Sequence, residues 1–517
     1  MRRFAWLLLC LIPSPGCSSD ASPDPSGACK PGTVCGSSGG YPSGGVSGGT
    51  NVAGSGASGI SNSGGPGAAG GSPSTGGAVG TGGAGHMAGA VNSGGTVNSG
   101  GAIHSGGAVH SGGAVNGGGA TTAGGSAGAV GSGGGANLRP IPWEGGPAYW
   151  SKFPRAKAAG WTDPAFFPIG IWFEAVDNLP RLKSVGLNVY VGANHSSTDI
   201  AAFKSLSGTD GVFFIMNDEW SVADFGNNDK LAVGALASDE IDMLGQNPVS
   251  DQQSIVDAAR NAADGRFVYS NYGKAALGTF WNPQNMPALV RMVDVASDDL
   301  YFFTDPNLPG EAPNSSAWPT GATVRRAASY GWTVERMRSF LASDLHPTWN
   351  FIEYSYPWGE PEPADGSKSM SPDKLAGAIW SSIIHEARGI ILFNHAFEGA
   401  RCGGQHVLVD CYPDMRARVT QEFANVKSVA TILNTQSYEW VAASGVDSML
   451  KVTPNAYYLF TQVGQLGTAG IQSLNLPGGA SGSVEVLFEA RSLTASGGTL
   501  SDKFADTNVV HVYKIAR

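Results

Sequence analysis

Positive charge is scarce in this chain of 517 residues, in which 31 Lys and Arg face 41 Asp and Glu and the formal net charge is −10. The basic residues form no clustered stripe along the sequence. Because nucleic-acid recognition depends on a basic patch, we exclude a nucleic-acid partner. A Gly-rich phosphate-binding motif is also missing after the first predicted strand, which argues against a doubly wound open sheet.

The apolar run near the start, residues 4–12, is too short to cross a bilayer as a helix. Two arginines precede it and Cys17 follows it, as in a signal peptide. Residues 1–17 resemble the signal of a bacterial lipoprotein, although Pro15 departs from that pattern. The resemblance implies that Cys17 becomes the lipidated N-terminus. We therefore expect an exported protein, lipid-anchored to the cell surface or outer membrane, with no other membrane contact; simple secretion is the alternative.

Cysteine is rare as well, with six in the whole chain. Four of them form two close pairs, Cys29 with Cys35 and Cys402 with Cys411. In an exported chain such spacing predicts small-loop disulfides, above all between Cys402 and Cys411. His406 lies between that second pair, but two cysteines and one histidine lack an obvious fourth metal ligand. We therefore expect a disulfide and no metal.

Glycine is plentiful, with 76 residues, and most of it lies in residues 18–137 beside Ser, Ala, Val, Asn and Thr. Such a segment cannot bury enough apolar surface to offset its ordering entropy, so we predict a disordered, flexible linker. Residues 92–115 repeat a hexapeptide with one apolar position, a pattern that β-helices also use. Four repeats are too few to bury a stacked core, which favours a spacer.

From residue 167 onward, short β-branched and aromatic runs alternate with helical patterns. Eight strands are predicted, at residues 167–173, 188–193, 212–216, 232–238, 267–270, 293–297, 348–354 and 389–394. The strands are apolar on both faces, as in a parallel sheet covered by helices. Eight such units over residues 138–436 predict an α/β fold, a (β/α)8 TIM barrel.

The pattern changes after residue 436. Residues 437–517 contain apolar runs such as AYYLFTQV and VVHVYKI, separated by Gly- and Ser-rich turns. Short strands between such turns predict a small C-terminal antiparallel β-sandwich domain.

The active site of a (β/α)8 barrel is built at the C-terminal ends of its strands. In this chain those ends are acidic, aromatic and amide-rich. They carry Trp172, Asn194, His195, Asp239, Glu240, Tyr301, Glu353, Asn394 and His395. Carboxylates that transfer protons suit glycoside cleavage, whereas phosphate substrates call for Arg or Lys.

Two of these residues carry a resemblance to clan A of the glycoside hydrolases. Glu240 follows strand four in GALASDEID, and Glu353 ends strand seven in NFIEY. In that clan the acid/base Glu follows strand four and the nucleophile Glu follows strand seven. Tyr301, after strand six, stands where the clan often has a Tyr that bonds the nucleophile. Asp239 stands where the clan usually has Asn, and FNH ends strand eight where a Trp is common.

The resemblance implies an extracellular glycoside hydrolase that acts on a polysaccharide or oligosaccharide, with Glu240 and Glu353 as catalytic residues. The other seven strand-end residues would bind the sugar. We expect a retaining mechanism, no cofactor and a monomer. The alternatives are an inverting hydrolase, a non-catalytic glycan-binding protein, and a catalytic pair formed by Asp299 and Glu240.

Overall fold

The computed structural model describes residues 138–244, 246–279, 281–354, 356–357, 370–396 and 407–517. The predictions for residues 1–17 and 18–137 lie outside the described residues, and so do those for Cys29, Cys35 and Cys402. The disulfide between Cys402 and Cys411 therefore stays a prediction. In the described part of the chain, no helix is long and apolar enough to cross a membrane.

Eight parallel strands form a closed barrel in sequence order, with β8 paired to β1, which confirms the predicted barrel. The strands are β1 (Ile169–Trp172), β2 (Val189–Val191), β3 (Phe213–Asn217), β4 (Ala232–Asp239), β5 (Phe267–Tyr272), β6 (Val295–Asp298), β7 (Thr348–Glu353) and β8 (Ile390–Phe393). Six of the eight strands are buried along their whole length, and in β3 and β4 only the carboxyl ends are partly exposed. This burial explains why their sequences read as continuous apolar runs.

Helices lie before and between the strands and lead from the last strand to the C-terminal domain. They are α1 (Pro154–Ala158), α2 (Leu179–Val185), α3 (Ser197–Ser205), α4 (Ile241–Leu244), α5 (Pro248–Asn261), α6 (Met286–Met292), α7 (Leu308–Glu311), α8 (Ala328–Ser339), α9 (Pro372–Ile384), α10 (Val407–Asp410), α11 (Pro413–Ser428) and α12 (Ala430–Leu433). Short 3-10 turns supplement them.

Helix α9 shows how the local sequence sets an element. Ser371 caps it by accepting a hydrogen bond from the Lys374 backbone N–H, and Pro372 occupies the first turn, where no N–H is needed. The helix ends at Ile384, before the next glycine of the chain, Gly389. Gly389 precedes β8, where an added Cβ would lie 2.7 Å from the indole of Trp349. Close packing therefore requires the glycine.

Aromatic side chains fill one end of the barrel interior. Trp150 and Trp161 pack edge to face at 4.7 Å, and both contact Phe267 of β5 and Trp349 of β7. Trp150 and Trp161 precede β1 in the chain, and Phe267 and Trp349 lie at the amino ends of their strands. The rings therefore fill the amino end of the barrel, and the polar side chains described below lie at the carboxyl end.

The C-terminal domain consists of β9 (Ser437–Tyr438), β10 (Val446–Val452), β11 (Ala456–Val463), β12 (Gly470–Asn475), β13 (Gly482–Leu487), β14 (Arg491–Ala495), β15 (Thr499–Phe504) and β16 (Val510–Ala516). Six strands form one antiparallel sheet in the order β14-β13-β16-β11-β10-β9, and β12 pairs with β15 in a second sheet. Leu459 and Tyr513 of the first sheet share a core with Leu474 and Phe504 of the second. The predicted antiparallel sandwich is confirmed.

The barrel and the sandwich meet across a buried ionic cluster. Lys451 of β10 is fully buried, and its ammonium donates to the carbonyls of Leu433 at 2.9 Å and Thr435 at 2.8 Å. Glu386 lies 3.8 Å from that ammonium and 3.0 Å from the guanidinium of Arg388. Each buried charge is therefore matched by an opposite charge or by backbone oxygens, as burial in a protein interior requires.

Candidate active site

Four carboxyl groups lie at the carboxyl ends of three strands. Asp239 ends β4 and Glu240 follows it directly, Asp299 follows β6, and Glu353 ends β7. Because parallel barrel strands all end on the same side, these residues share one end of the barrel.

Glu240 sits at a sharp turn of the backbone. Its φ of 48° lies in the left-handed region, which a residue with a Cβ adopts only under constraint. Its N–H donates to the carbonyl of Asn271 in β5 at 3.0 Å, and its own carbonyl accepts from the N–H of Met243 at 3.0 Å. Strained backbone held by neighbouring hydrogen bonds is frequent at active sites.

Glu240 and Asp299 are both bonded to the end of β5: the N–H of Glu240 donates to the carbonyl of Asn271, and the N–H of Asp299 donates to the carbonyl of Tyr272, each at 3.0 Å. Burial, together with the negative charges of Asp239 and Asp242, raises the pKa of Glu240 to about 8. Burial and the charge of Glu240 raise the pKa of Asp299 well above its usual value. A carboxyl group in this setting keeps its proton near neutral pH, which is the requirement for a general acid.

Asp239 is held by a chain of hydrogen bonds across the barrel interior. Tyr269 contacts the hydroxyl of Ser297 at 2.5 Å, Ser297 donates to Asn271 at 2.7 Å, and Asn271 donates to Asp239 at 2.9 Å. Burial raises the pKa of Asp239 to about 6, although the bond from Asn271 opposes that shift. Asn271 of the adjacent strand thus holds the carboxyl group that directly precedes Glu240.

Glu353 is fully buried and both of its carboxyl oxygens accept hydrogen bonds. Tyr330 donates to Oε2 at 2.5 Å, while the hydroxyl of Thr304 and the N–H of Phe303 donate to Oε1 at 3.2 Å and 3.1 Å. Burial raises the pKa of Glu353 to about 7, against the opposing effect of these donors. Three donors thus fix the carboxyl group in one orientation.

The tyrosine on Glu353 is a residue that sequence reasoning missed. The hydroxyl of Tyr301 donates to Oδ2 of Asp299 at 3.4 Å, whereas Tyr330 of α8 supplies the short bond to Glu353. Tyr330 lies inside a helix between β6 and β7, and nothing in its local sequence relates it to strand seven. Its role follows only from packing.

The remaining predicted residues form an inner group within the barrel and an outer group at its rim. In the inner group, the ring of Tyr301 packs 4.9 Å from Phe393, which packs 4.8 Å from His395. Asn394 is buried and donates to the carboxyl of Glu174, whose pKa burial raises to about 7. Glu174 is not among the site residues that the sequence predicts.

Trp172 is buried and packs edge to face against Phe351 at 5.5 Å, so its ring lies in the barrel core. Asn194 and His195 are exposed in the segment after β2, and His195 lies 3.3 Å from Asp224. The structure thus brings together the carboxyl groups with Tyr301 and leaves Asn194 and His195 at the rim. Among the described residues, no group of three His, Cys, Asp or Glu is arranged to hold a metal ion.

Comparison with known proteins finds similar solved structures but does not assign the chain to a family. No family model and no curated protein matches the chain. Among solved structures, one described as a glycoside hydrolase is 11% identical over 68% of this chain and 92% of its own, with a TM-score of 0.44. A family 5 glycoside hydrolase from Bacteroides vulgatus is 10% identical over 68% and 89%, with a TM-score of 0.41. Isomaltulose synthase from a Klebsiella species is 8% identical over 68% and 99%, with a TM-score of 0.42. At TM-scores below 0.5 these similarities assign neither family nor activity, which must be argued from the site.

Proposed function

We propose that the protein is an extracellular glycoside hydrolase that cleaves a polysaccharide or oligosaccharide with retention of configuration. The observation that carries this proposal is the state of Glu240, a half-buried carboxyl at the barrel mouth with a pKa of about 8. Such a group holds a proton at neutral pH and can deliver it to a glycosidic oxygen.

Glu353 is the nucleophile in this proposal. Its carboxylate attacks the anomeric carbon while Glu240 protonates the leaving oxygen, which gives a glycosyl ester on Glu353. Glu240 then removes a proton from water, the water oxygen attacks the anomeric carbon, and the ester bond breaks. The three donors on Glu353 orient the carboxylate for attack.

Asp299 is a poorer candidate for the nucleophile. Burial and the charge of Glu240 raise the pKa of Asp299 well above its usual value, so Asp299 is poorly suited to attack as a carboxylate. Tyr301 donates to its Oδ2 at 3.4 Å, whereas three donors at 2.5 to 3.2 Å hold the carboxyl group of Glu353.

Sugar recognition in this proposal uses the rings of Tyr301 and His395, the carboxyl of Asp239 and, at the rim, Asn194 and His195. Aromatic faces suit the apolar faces of sugars, and carboxylates suit their hydroxyls. Export with lipid attachment at Cys17 would place the enzyme at the cell surface.

A second candidate follows from the complete burial of Glu353. The anomeric carbon of the substrate must reach the nucleophile. If the carboxyl group of Glu353 stays enclosed in solution, it cannot attack, and the barrel would bind glycans without cleaving them. That protein would bind oligosaccharides and release no product.

The test combines two variants assayed on aryl glycosides and on a polysaccharide panel. Glu353→Ala should lose turnover while staying folded, and azide should restore product with inverted configuration. Glu240→Ala should lose far more activity on poor leaving groups than on activated aryl ones, which need little protonation. Glu422→Gln, a substitution on α11, is the control. Parental activity in both variants would refute the proposal, and binding without product in the parent would favour the second candidate.

A further inference from the structure

One turn after β6 supplies two of the three donors that hold Glu353. The N–H of Phe303 and the hydroxyl of Thr304 donate to Oε1 of Glu353, at 3.1 Å and 3.2 Å. Within residues 301–305, the donor turn, the N–H of Thr304 also bonds back to the carbonyl of Tyr301 at 3.3 Å. Because this bond closes the turn, a displacement of its backbone would withdraw both donors from Glu353 together.

Arg325 holds the backbone of the donor turn. Its guanidinium donates through Nη1 to the carbonyl of Phe303 and through Nη2 to the carbonyl of Asp305 at 3.2 Å. Phe303 is therefore bonded on both sides, with its N–H on Glu353 and its carbonyl on Arg325. Because a guanidinium is planar and its donors form a rigid fork, the two bonds set the orientation of the turn as well as its position.

The side chain of Asp305 is fixed separately. Its Oδ2 lies 2.9 Å from the ammonium of Lys274, and its Oδ1 accepts from the N–H of Asn307 at 2.7 Å. Loss of Arg325 should therefore loosen the Phe303 end of the donor turn while the Asp305 end stays attached. We expect the fold to survive such a substitution.

We propose that Arg325 is a positioning residue for the nucleophile, which holds the donor turn so that Phe303 and Thr304 donate to the carboxylate of Glu353. The inference rests on the proposed function, because it assigns Glu353 as the nucleophile. Arg325 lies at no strand end, so its role follows only from the hydrogen bonds of the folded chain. Since donors to a carboxylate favour its charged form, a displaced turn should leave Glu353 harder to ionise.

The first experiment measures the ionisation of Glu353 and needs no turnover. The free energy of unfolding in urea is measured across the pH range with and without Glu353→Gln, in the parent and in Arg325→Met. Within each pair, the pH at which the difference levels off marks the folded-state pKa of Glu353. We expect this pH to rise by about one unit in Arg325→Met, the equivalent of one hydrogen bond to a charged group. An unchanged value would overturn the proposal, whether or not the protein hydrolyses glycosides.

Arg326→Met is the matched control. The guanidinium of Arg326, the next residue, also donates to backbone carbonyls, but they belong to Gly464, Gln465 and Gly467 of the C-terminal domain. Its loss removes the same kind of group without touching the donor turn, so the levelling-off pH should keep its parental value. A shift equal to that of Arg325→Met would also overturn the proposal.

A double-mutant cycle separates positioning from a direct effect of the Arg325 charge. Thr304→Val removes one donor from Glu353. If Arg325 acts through the donor turn, the double variant should shift no further than Arg325→Met alone, whereas additive shifts would overturn the proposal. Arg325→Lys, which also serves if Arg325→Met fails to fold, keeps the charge without the fork and should recover only part of the parental value. Complete recovery would show that the charge alone suffices and would overturn the proposal.

The second experiment measures the acid limb of kcat/KM on an aryl glycoside. The nucleophile must be ionised to attack, so Arg325→Met should move this limb up by the same interval as in the unfolding experiment. A shifted unfolding profile with an unmoved limb would overturn the inference. A shifted unfolding profile in a protein whose parent hydrolyses nothing would remove the proposed function and leave the hold of Arg325 on Glu353 established.

Discussion

Replacing Glu353 with Gln should stabilise the protein at alkaline pH and abolish turnover. Glu353 is fully buried, and burial raises its pKa from 4.5 to about 7. A raised pKa means that the folded state binds this proton more tightly than the unfolded state does. The stabilisation that the proton provides is complete below pH 4.5 and is lost as the pH rises through about 7.

The magnitude follows from the pKa difference. Each pKa unit corresponds to about 1.4 kcal/mol, so ionised Glu353 lowers the free energy of unfolding by about 3 kcal/mol at alkaline pH. Gln keeps the shape and an oxygen that can accept from Thr304 and Phe303, but it never ionises. The stability of Glu353→Gln relative to the parent should therefore rise by about 3 kcal/mol between about pH 4 and about pH 9.

The assay is urea unfolding of the parent and the variant at several pH values, because the difference between the two cancels the other titrating groups. Glu386→Gln is a control of opposite sign. Burial opposes ionisation of Glu386, but the charges of Lys451 and Arg388 outweigh it and lower its pKa. Glu386→Gln should lose about 3 to 5 kcal/mol at neutral pH and less as the pH falls. A flat difference for Glu353→Gln across the pH range would refute the reasoning about its burial.

Four further predictions concern separate parts of the chain. Tyr330→Phe should lower kcat by about tenfold to a hundredfold in steady-state assays, because a buried carboxylate loses a charge-assisted donor; an unchanged kcat would count against the role of that bond. Cys17→Ala should shift the protein from the membrane to the soluble or unprocessed fraction, and equal partitioning would argue against lipidation. Deletion of residues 40–130 should leave the melting temperature and soluble activity nearly unchanged, since a flexible coil makes few contacts. Non-reducing peptide mapping should recover a Cys402–Cys411 linked peptide, and two free thiols would exclude it.

The barrel could be predicted because each of its strands and helices is encoded by a short stretch of the sequence. Each strand is a short apolar run that is buried on both faces, and the alternation with helices is visible residue by residue. In the sandwich, the runs at β11 and β16 were recognised, but β12 and β15 were not. The inward-facing positions of β12 hold Gly470, Gln472 and Leu474, and its other apolar residue, Ile471, is exposed, so the strand carries little apolar signal.

For the candidate site, the sequence could predict which residues lie at the barrel mouth but not the contacts between their side chains. Strand ends identify Glu240 and Glu353 as residues at the barrel mouth, but they do not reveal which side chains touch. The donor from Tyr330 to Glu353 comes from a helix, and the hydrogen bond from Asn271 to Asp239 joins side chains of two different strands. Such contacts depend on packing between distant segments, which leaves no periodic trace in the sequence.

The short pairing between the two ends of the barrel segment has a mechanical consequence. Ile141 donates its N–H to the carbonyl of Ser437, and Glu439 donates to the carbonyl of Arg139, so the segment that leads into the barrel is bonded to the one that leaves it. A pull on the chain from before residue 138 therefore loads these hydrogen bonds and the sandwich edge first. The barrel strands that carry the carboxyl groups bear the load only after these two hydrogen bonds have broken.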